Sequence, residues 1–393
     1  MFEAKVLLRF AKALINTSPL LKEITDKLLP VGWRALRGRA SFRGVTPPPA
    51  TAPSLRQPLL LLFLCFTVVP SGLHAARLDV LDVPGVTLRD NPLGDPAARR
   101  VAVFAPDGVR DDAPLPLLIY LPGWGGSSED AISQGRAGWF AQVVDALAAR
   151  APLRLAVVDG RSRYGGSQFL NSTATGRYAD YVADEILPAL TTRYASVKKE
   201  PSTIVAGHSS GAYGALLLAM NRQEKFAAVV ALSPDSDFDV THKALVQQPS
   251  VRAVTRADLN AAMASKNARL PADGLAQLVM GLCANYAPIA GQPGRFEWLY
   301  DDRGQWRADA WQRWVELDPL TLIRKNPNAF APTQRIYLDG AEHDEFGANI
   351  GARKIHEILR TRPSPAAFYE SPGHHSDHLP ERLIRGLAWA LGQ

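Results

Sequence analysis

The chain has 393 residues, with 44 Lys and Arg against 38 Asp and Glu, a length that accommodates one large or two medium domains. Residues 1–57 hold ten of the basic and three of the acidic residues, leaving 34 against 35 in the rest, so the basic excess belongs to the front end. The remainder shows no basic cluster with interleaved aromatics, which argues against nucleic-acid binding by that part.

The front end reads as a basic leader over 1–57, with a partly amphipathic stretch from Phe2 to Leu29 and a Pro-rich stretch from Pro47 to Pro58. A signal-peptide-like segment follows over 58–76. Its apolar run, Leu59 to Val69, follows Arg56 and precedes Pro70-Ser71-Gly72 and Leu73-His74-Ala75-Ala76. Such a run is too short for an ordinary membrane span and has the order of a secretory signal, with cleavage after Ala75 or Ala76. Its distance from Met1 leaves three readings: a long basic n-region, a downstream start of translation, or a buried core helix. The first two make the protein exported, periplasmic or secreted, with membrane tethering if the segment stays uncleaved. Leu64 before Cys65 lacks the small residue of a lipoprotein signal. Once the segment is removed, Cys283 is the only cysteine, so no internal disulfide is expected.

Residues 77–393 alternate β-rich apolar runs with helical spacing. Strands are expected at Arg100–Ala105, Leu117–Leu121, Leu153–Val158, Thr203–Ala206, Ala227–Leu232, Arg335–Leu338 and Ala366–Tyr369. Helices are expected at Ala137–Arg150, Tyr178–Arg193, Ser210–Met220, Asn349–Thr361 and Pro380–Leu391. This rhythm predicts an α/β fold with a mostly parallel central sheet flanked by helices. It breaks at about 236–331, where helical stretches (Ala257–Ser265, Gly274–Asn285) precede an aromatic-rich segment containing Phe296, Trp298, Tyr300, Trp306, Trp311 and Trp314. That stretch reads as a helical cap insertion whose rings would favour an apolar or aromatic acyl group, or stack on sugar.

The most informative stretch is VAGHSSGAYGALLLAM, Val205 to Met220: a strand end, a Gly-x-Ser-x-Gly turn at Gly207, Ser209 and Gly211, then an apolar helix. A serine on a strained strand-to-helix turn needs small neighbours, and the two glycines supply them. A helix beginning at Ser210 would offer free N–H groups to an oxyanion formed when Ser209 attacks a carbonyl. A nucleophilic serine also needs a base and an orienting carboxylate, which in this architecture come later in the chain on loops after strands. After RIYL comes Asp339-Gly340-Ala341-Glu342-His343-Asp344-Glu345, and after AAFYES comes Pro372-Gly373-His374-His375-Ser376-Asp377-His378. Asp344 is the preferred acid, with Asp339 and Glu345 as rivals. His375 is the preferred base, with His374 and His378 as rivals or substrate contacts. The second oxyanion donor is expected from Gly123-Trp124-Gly125-Gly126, with the N–H of Trp124 paired with that of Ser210; the same glycine turn also suits Trp124 packing on the cap. A His/Asp cluster invites a zinc reading, but neither H-E-x-x-H nor a closed Cys/His spacing is present, so no metal or cofactor is expected.

GHSSGAYGALLLAM is similar to the GHSxGGxGAL block of the putative esterase (esterase D-like) family of α/β-hydrolases, related to feruloyl esterases, S-formylglutathione hydrolases and mycolyltransferases. LPGWGG resembles that family's H-G-x-x-G oxyanion segment, DGAEHDEF its acid loop and PGHHSDH its G-G-H histidine loop. Val157 to Tyr194 resembles the segment in which a substrate-side loop precedes a helix marked here by Glu185, Pro188 and Tyr194. The likeness spans about Arg100 to Leu391. Pro122 stands where the family has histidine, Ala212 and His374 where glycine is common, and Asp377 where an aromatic is usual. The resemblance implies an α/β-hydrolase fold with the site Ser209, Asp344 and His375. The expectation is therefore an exported serine hydrolase acting on a small-molecule or glycan-linked ester through an acyl-enzyme. The alternatives are an acyltransferase using the same triad and a catalytically silent binding or scaffold protein. Asn171-Ser172-Thr173 fits a glycosylation sequon but reads as ordinary loop chemistry.

Overall fold

The computed structural model describes residues 76–194, 203–265, 269–270 and 274–393. The basic leader and all of the signal-like segment except Ala76 lie outside the described residues, so the readings made for them stay with the sequence. No helix among the described residues is long and apolar enough to cross a membrane.

Eight strands form the central sheet: β1 (Arg77–Val83), β2 (Arg99–Ala105), β3 (Leu117–Leu121), β4 (Arg154–Val157), β7 (Thr203–His208), β8 (Phe226–Leu232), β9 (Arg335–Ala341) and β10 (Ala366–Ser371). A separate hairpin pairs β5 (Asn171–Ser172) with β6 (Gly176–Arg177). The sheet order is β1-β2-β4-β3-β7-β8-β9-β10. β2 runs antiparallel to β1 and β4, and from β4 to β10 every pairing is parallel. Parallel strands need covering on both faces, and alternate residues of β3 divide accordingly. Leu118 and Tyr120 pack with Phe140, Val144, Leu383 and Leu387 on one face. Leu117, Ile119 and Leu121 pack with Leu216, Val182 and Ile355 on the other.

The covering helices are α1 (Trp139–Leu147), α2 (Leu187–Arg193), α3 (Ser210–Asn221), α4 (Gly274–Tyr286), α5 (Ala348–Leu359) and α6 (Leu379–Ala390). The helix expected from Ala137 starts at Trp139, because the chain is extended at Gly138 after a tight turn over Gly135–Ala137. Ahead of α2, the stretch expected as regular helix widens into a π segment over Tyr181–Ile186. Pro188 cannot donate to the carbonyl four residues back and its ring crowds that carbonyl, and the wider turn relieves both. Among the elements not anticipated are the helix Ser128–Gln134, an edge strand and a short hairpin. β1 (RLDVLDV) is an edge strand with Asp79 and Asp82 along it, and the β5–β6 hairpin is only two residues a side.

Between β8 and β9 the chain is mainly helical, including Arg256–Ala264, α4, Ala308–Glu316 and Pro319–Lys325. Its core is continuous with one face of the sheet, since Met280, Trp298 and Trp314 join the cluster that holds Val205 and Leu216. The expectation that the aromatic segment presents rings to substrate is corrected here. Trp298, Trp314, Phe296, Tyr300 and Trp311 are buried, stacked in contacts such as Trp311–Trp314 at 5.6 Å and Tyr286–Trp314 at 5.0 Å. Rings of this size stabilise most when removed from water, and they build the interior of this segment.

Candidate active site

The loops at the C-terminal ends of β3, β7, β8, β9 and β10 bring the candidate residues together, as expected where an open parallel sheet places its ligands. At the end of β7 the backbone of Ser209 adopts φ 57 and ψ −121, a combination unfavourable for a residue with a side chain. The surroundings enforce it. A Cβ on Gly211 would lie 1.8 Å from the Leu121 carbonyl oxygen, and one on Gly207 would lie 2.3 Å from Gly211 backbone atoms. The Ser209 N–H donates to the Leu232 carbonyl at 3.0 Å, tying the turn to β8.

Ser210 opens α3, where a helix leaves its first N–H groups without intrahelical partners. The loop after β3 closes a tight turn, Gly126 N–H to Gly123 O at 3.0 Å, with Gly125 at φ +77. A Cβ on Gly123 would stand 3.6 Å from the Ser209 Cβ, so this backbone passes close to the serine. A cavity of about 10 Å³, lined by Gly123, Trp124, Gln168 and Ser210 among others, has room for about one water-sized group. The Trp124 ring is wedged among glycines: a Cβ on Gly165, Gly166 or Gly281 would meet it at 2.8, 2.6 or 2.5 Å. The ring thus packs on α4, and Trp124 is among the residues that line the cavity.

On the other side, His375 is buried and its Nδ1 lies 2.8 Å from Asp344 Oδ2. Asp344 Oδ1 accepts from the Phe346 and Ala348 N–H groups at 3.0 and 3.3 Å. Burial alone would raise the Asp344 carboxyl, but the hydrogen bonds from His375, Ser233 and the Phe346 N–H hold it below the ordinary carboxylate range. The His375 backbone is fixed as well, its N–H donating to Glu345 Oε2 at 3.0 Å and its carbonyl accepting from Arg382 Nη1 at 2.9 Å. The His375 ring lies 4.7 Å from that of His208, the residue before Ser209. Burial, then the neighbouring His375 and Arg382, push His208 well below its ordinary value, so it is neutral.

The rival residues have other partners. Asp339 is inaccessible, accepts from Arg382 Nε and Ser371 Oγ, each at 2.6 Å, and is pushed up by burial. Glu345 holds a backbone N–H. His374 is mostly exposed, with Nδ1 3.0 Å from the His343 carbonyl. His378 precedes α6 in the left-handed region at φ 54. Ser209 Oγ makes no hydrogen bond to His375 in this structure; its contact is with Asp235 Oδ1 at a long 3.5 Å. Catalytic hydrogen bonds in unliganded sites are often long, and rotation of the serine side chain is what would bring its hydroxyl to the base. Asp235 is the carboxylate that sequence reasoning passed over. It lies three residues beyond β8, and its position just past a parallel strand was the available signal.

A model of the family described as "Putative esterase" matches residues 96–380. No curated protein matches the chain. Among solved structures, a ferulic acid esterase aligns at 14% identity and TM-score 0.53, covering 81% of this chain and 99% of that one. An S-formylglutathione hydrolase from Agrobacterium tumefaciens aligns at 15% and 0.51, covering 81% and 96%. The fluorophosphonate-binding serine hydrolase FphF of Staphylococcus aureus aligns at 17% and 0.50, covering 81% and 99%. At these identities the solved structures share the fold, which is that of the α/β-hydrolases.

Proposed function

Because the chain belongs to the Putative esterase family and is a carboxylic-ester hydrolase, we propose that it cleaves its ester through an acyl-enzyme on Ser209, with His375 as base and Asp344 as the residue that orients it. The observation that carries this reading is the 2.8 Å His375–Asp344 pair on the loops beside a serine held at φ 57.

Ser209 Oγ adds to the ester carbonyl as its proton passes to His375 Nε2. The electron pair displaced onto the carbonyl oxygen is held by the Trp124 and Ser210 N–H groups. Collapse of the tetrahedral adduct breaks the bond to the alcohol, which leaves with the proton from His375. Water then repeats the sequence, giving up its proton to His375 and releasing the acid and Ser209. Asp344 fixes the tautomer in which Nδ1 carries the hydrogen and stabilises the imidazolium that forms.

The α/β-hydrolase domain in this reading spans 77–393, with the β8–β9 segment at about 236–331 as its cap. The substrate is a small-molecule or glycan-linked ester, and the apolar run Leu59–Val69 directs export. Hydrolysis of p-nitrophenyl esters by the full chain beside Ser209→Ala tests the chemistry: turnover lost in the variant is expected, and turnover retained there contradicts the reading. Ser209 that accepts an acyl group but delivers it only to an added alcohol would indicate a transferase. Export is tested by N-terminal sequencing of the exported protein, expected to start at Ala76 or Arg77; a start upstream of Leu59 contradicts it.

A further inference from the structure

Asp235 has surroundings that the proposed hydrolysis does not use. Its carboxylate accepts from Ser210 Oγ at 3.2 Å, from Gln168 Nε2 at 3.1 Å and from Ser209 Oγ at 3.5 Å. Among the described residues no Lys or Arg side chain lies within ion-pairing distance. An ionisable neighbour is His242, whose Nε2 is 3.9 Å away. His242 is buried, and burial lowers it below its ordinary value despite the pull of Asp235, so it is a neutral neighbour. The Asp235 side chain is 14% accessible. A carboxylate so placed is ringed by hydroxyl, amide and neutral imidazole groups, with no counter-charge within ion-pairing distance among the described residues, and still opens toward the nucleophile.

Such a group is costly to desolvate without a partner, and substrate binding desolvates it. Ser209 Oγ lies 3.5 Å from Asp235 Oδ1 before it turns to the base, and an acyl group carried on it is long enough for substituents on the two carbons beyond its carbonyl to reach back toward Asp235. Gln168 adds a second acceptor. Its Oε1 is buried without a partner among the described residues, while its backbone is held in the left-handed region at φ 52.

We infer that Asp235 is a specificity-determining residue, selecting acyl groups that carry a hydrogen-bond donor, hydroxyl or ammonium, within two carbons of the ester carbonyl. The inference rests on Ser209 being the nucleophile. A plain hydrocarbon chain would leave the carboxylate unpaired, whereas a donor-bearing chain restores its hydrogen bonding.

The test compares kcat/KM of the full chain for the p-nitrophenyl esters of butyrate, 3-hydroxybutyrate and 3-aminobutyrate. The wild type is expected to favour the donor-bearing esters by about tenfold or more, the worth of one hydrogen bond to a charged group. Asp235→Asn should reduce that preference by about tenfold, and Asp235→Glu, which keeps the charge, should preserve it in part. Preference for the ammonium ester alone identifies charge as the recognised feature, and preference for both identifies hydrogen bonding. Equal kcat/KM for the three esters in the wild type overturns the inference, whether or not the variants fold. So does an Asp235→Asn chain that slows on all three with its preference intact, since Asp235 would then only brace the turn. Ser209→Ala with unchanged turnover would instead overturn the serine-esterase reading and this inference with it.

Discussion

Asp339 and Asp344 lie five residues apart at the end of the same strand, the first within β9 and the second just beyond it, and have opposite environments. Asp339 sits within β9, two residues before its end, clasped by Arg382 and Ser371, and burial pushes its carboxyl up. Asp344 lies on the turn beyond, gathers hydrogen bonds from His375, Phe346 and Ala348, and is held below the ordinary carboxylate range. Residue type does not separate them; the number and kind of donors does. The Asp339–Arg382 pair is a brace whose guanidinium also reaches the His375 carbonyl, whereas Asp344 contacts the base itself. Ser233 joins the two, accepting from Arg382 Nη2 at 2.7 Å while donating to Asp344.

The largest expected effect is therefore on the Asp344 side. Asp344→Asn should lower kcat by about 10⁴ with the fold kept, because the wrong tautomer of His375 is then favoured; steady-state kinetics beside circular dichroism checks it. Asp339→Asn should act on stability instead, removing about 1–3 kcal/mol by weakening the buried hydrogen bonds to Arg382 and Ser371, seen as a lower urea midpoint with much of the turnover per folded molecule retained.

How much of this contrast the sequence disclosed follows from the same physics. Gly207, Ser209 and Gly211 are readable because the strained turn tolerates few residues, and the histidine and acid loops because they follow strands in order. Neither carboxylate could be preferred on spacing alone, since Asp339 differs from Asp344 through Arg382, a residue 43 positions away that sequence gave no reason to notice. Asp235 was hidden for a similar reason, its partners Gln168 and His242 converging only once β8 lies beside β7. The edge strand β1 was missed because its charged residues dilute the apolar alternation, and the buried tryptophans because composition does not say which way a ring faces.

The pH dependence of stability should separate the two aspartates by sign. Asp344 is lowered from 3.8 in the folded state, so its stabilisation is present above about pH 4 and lost as pH falls through the folded value. Asp339 is raised from 3.8, so its contribution is greatest below about pH 4 and declines as pH rises through the folded value. Thermal melts from pH 6 to pH 3 should show the gap between wild type and Asp344→Asn narrowing on acidification, and the gap to Asp339→Asn widening. Parallel curves would erase the distinction. Ser233→Ala, which unlinks the pairs, should cost about 1–3 kcal/mol, measured by denaturant unfolding. The smallest effect belongs to the exposed His374, where His374→Ala should alter stability by less than about 0.5 kcal/mol and spare turnover; loss of turnover there would shift the base by one position.

The central claim, that Ser209 carries the acyl group with His375 as its base, is tested most directly by intact-mass analysis of the full chain after rapid acid quench during turnover of a p-nitrophenyl ester. The account predicts an adduct of acyl mass that maps to Ser209, disappears in Ser209→Ala and forms far more slowly in His375→Ala. An adduct on another residue, or turnover that survives in Ser209→Ala, would contradict it.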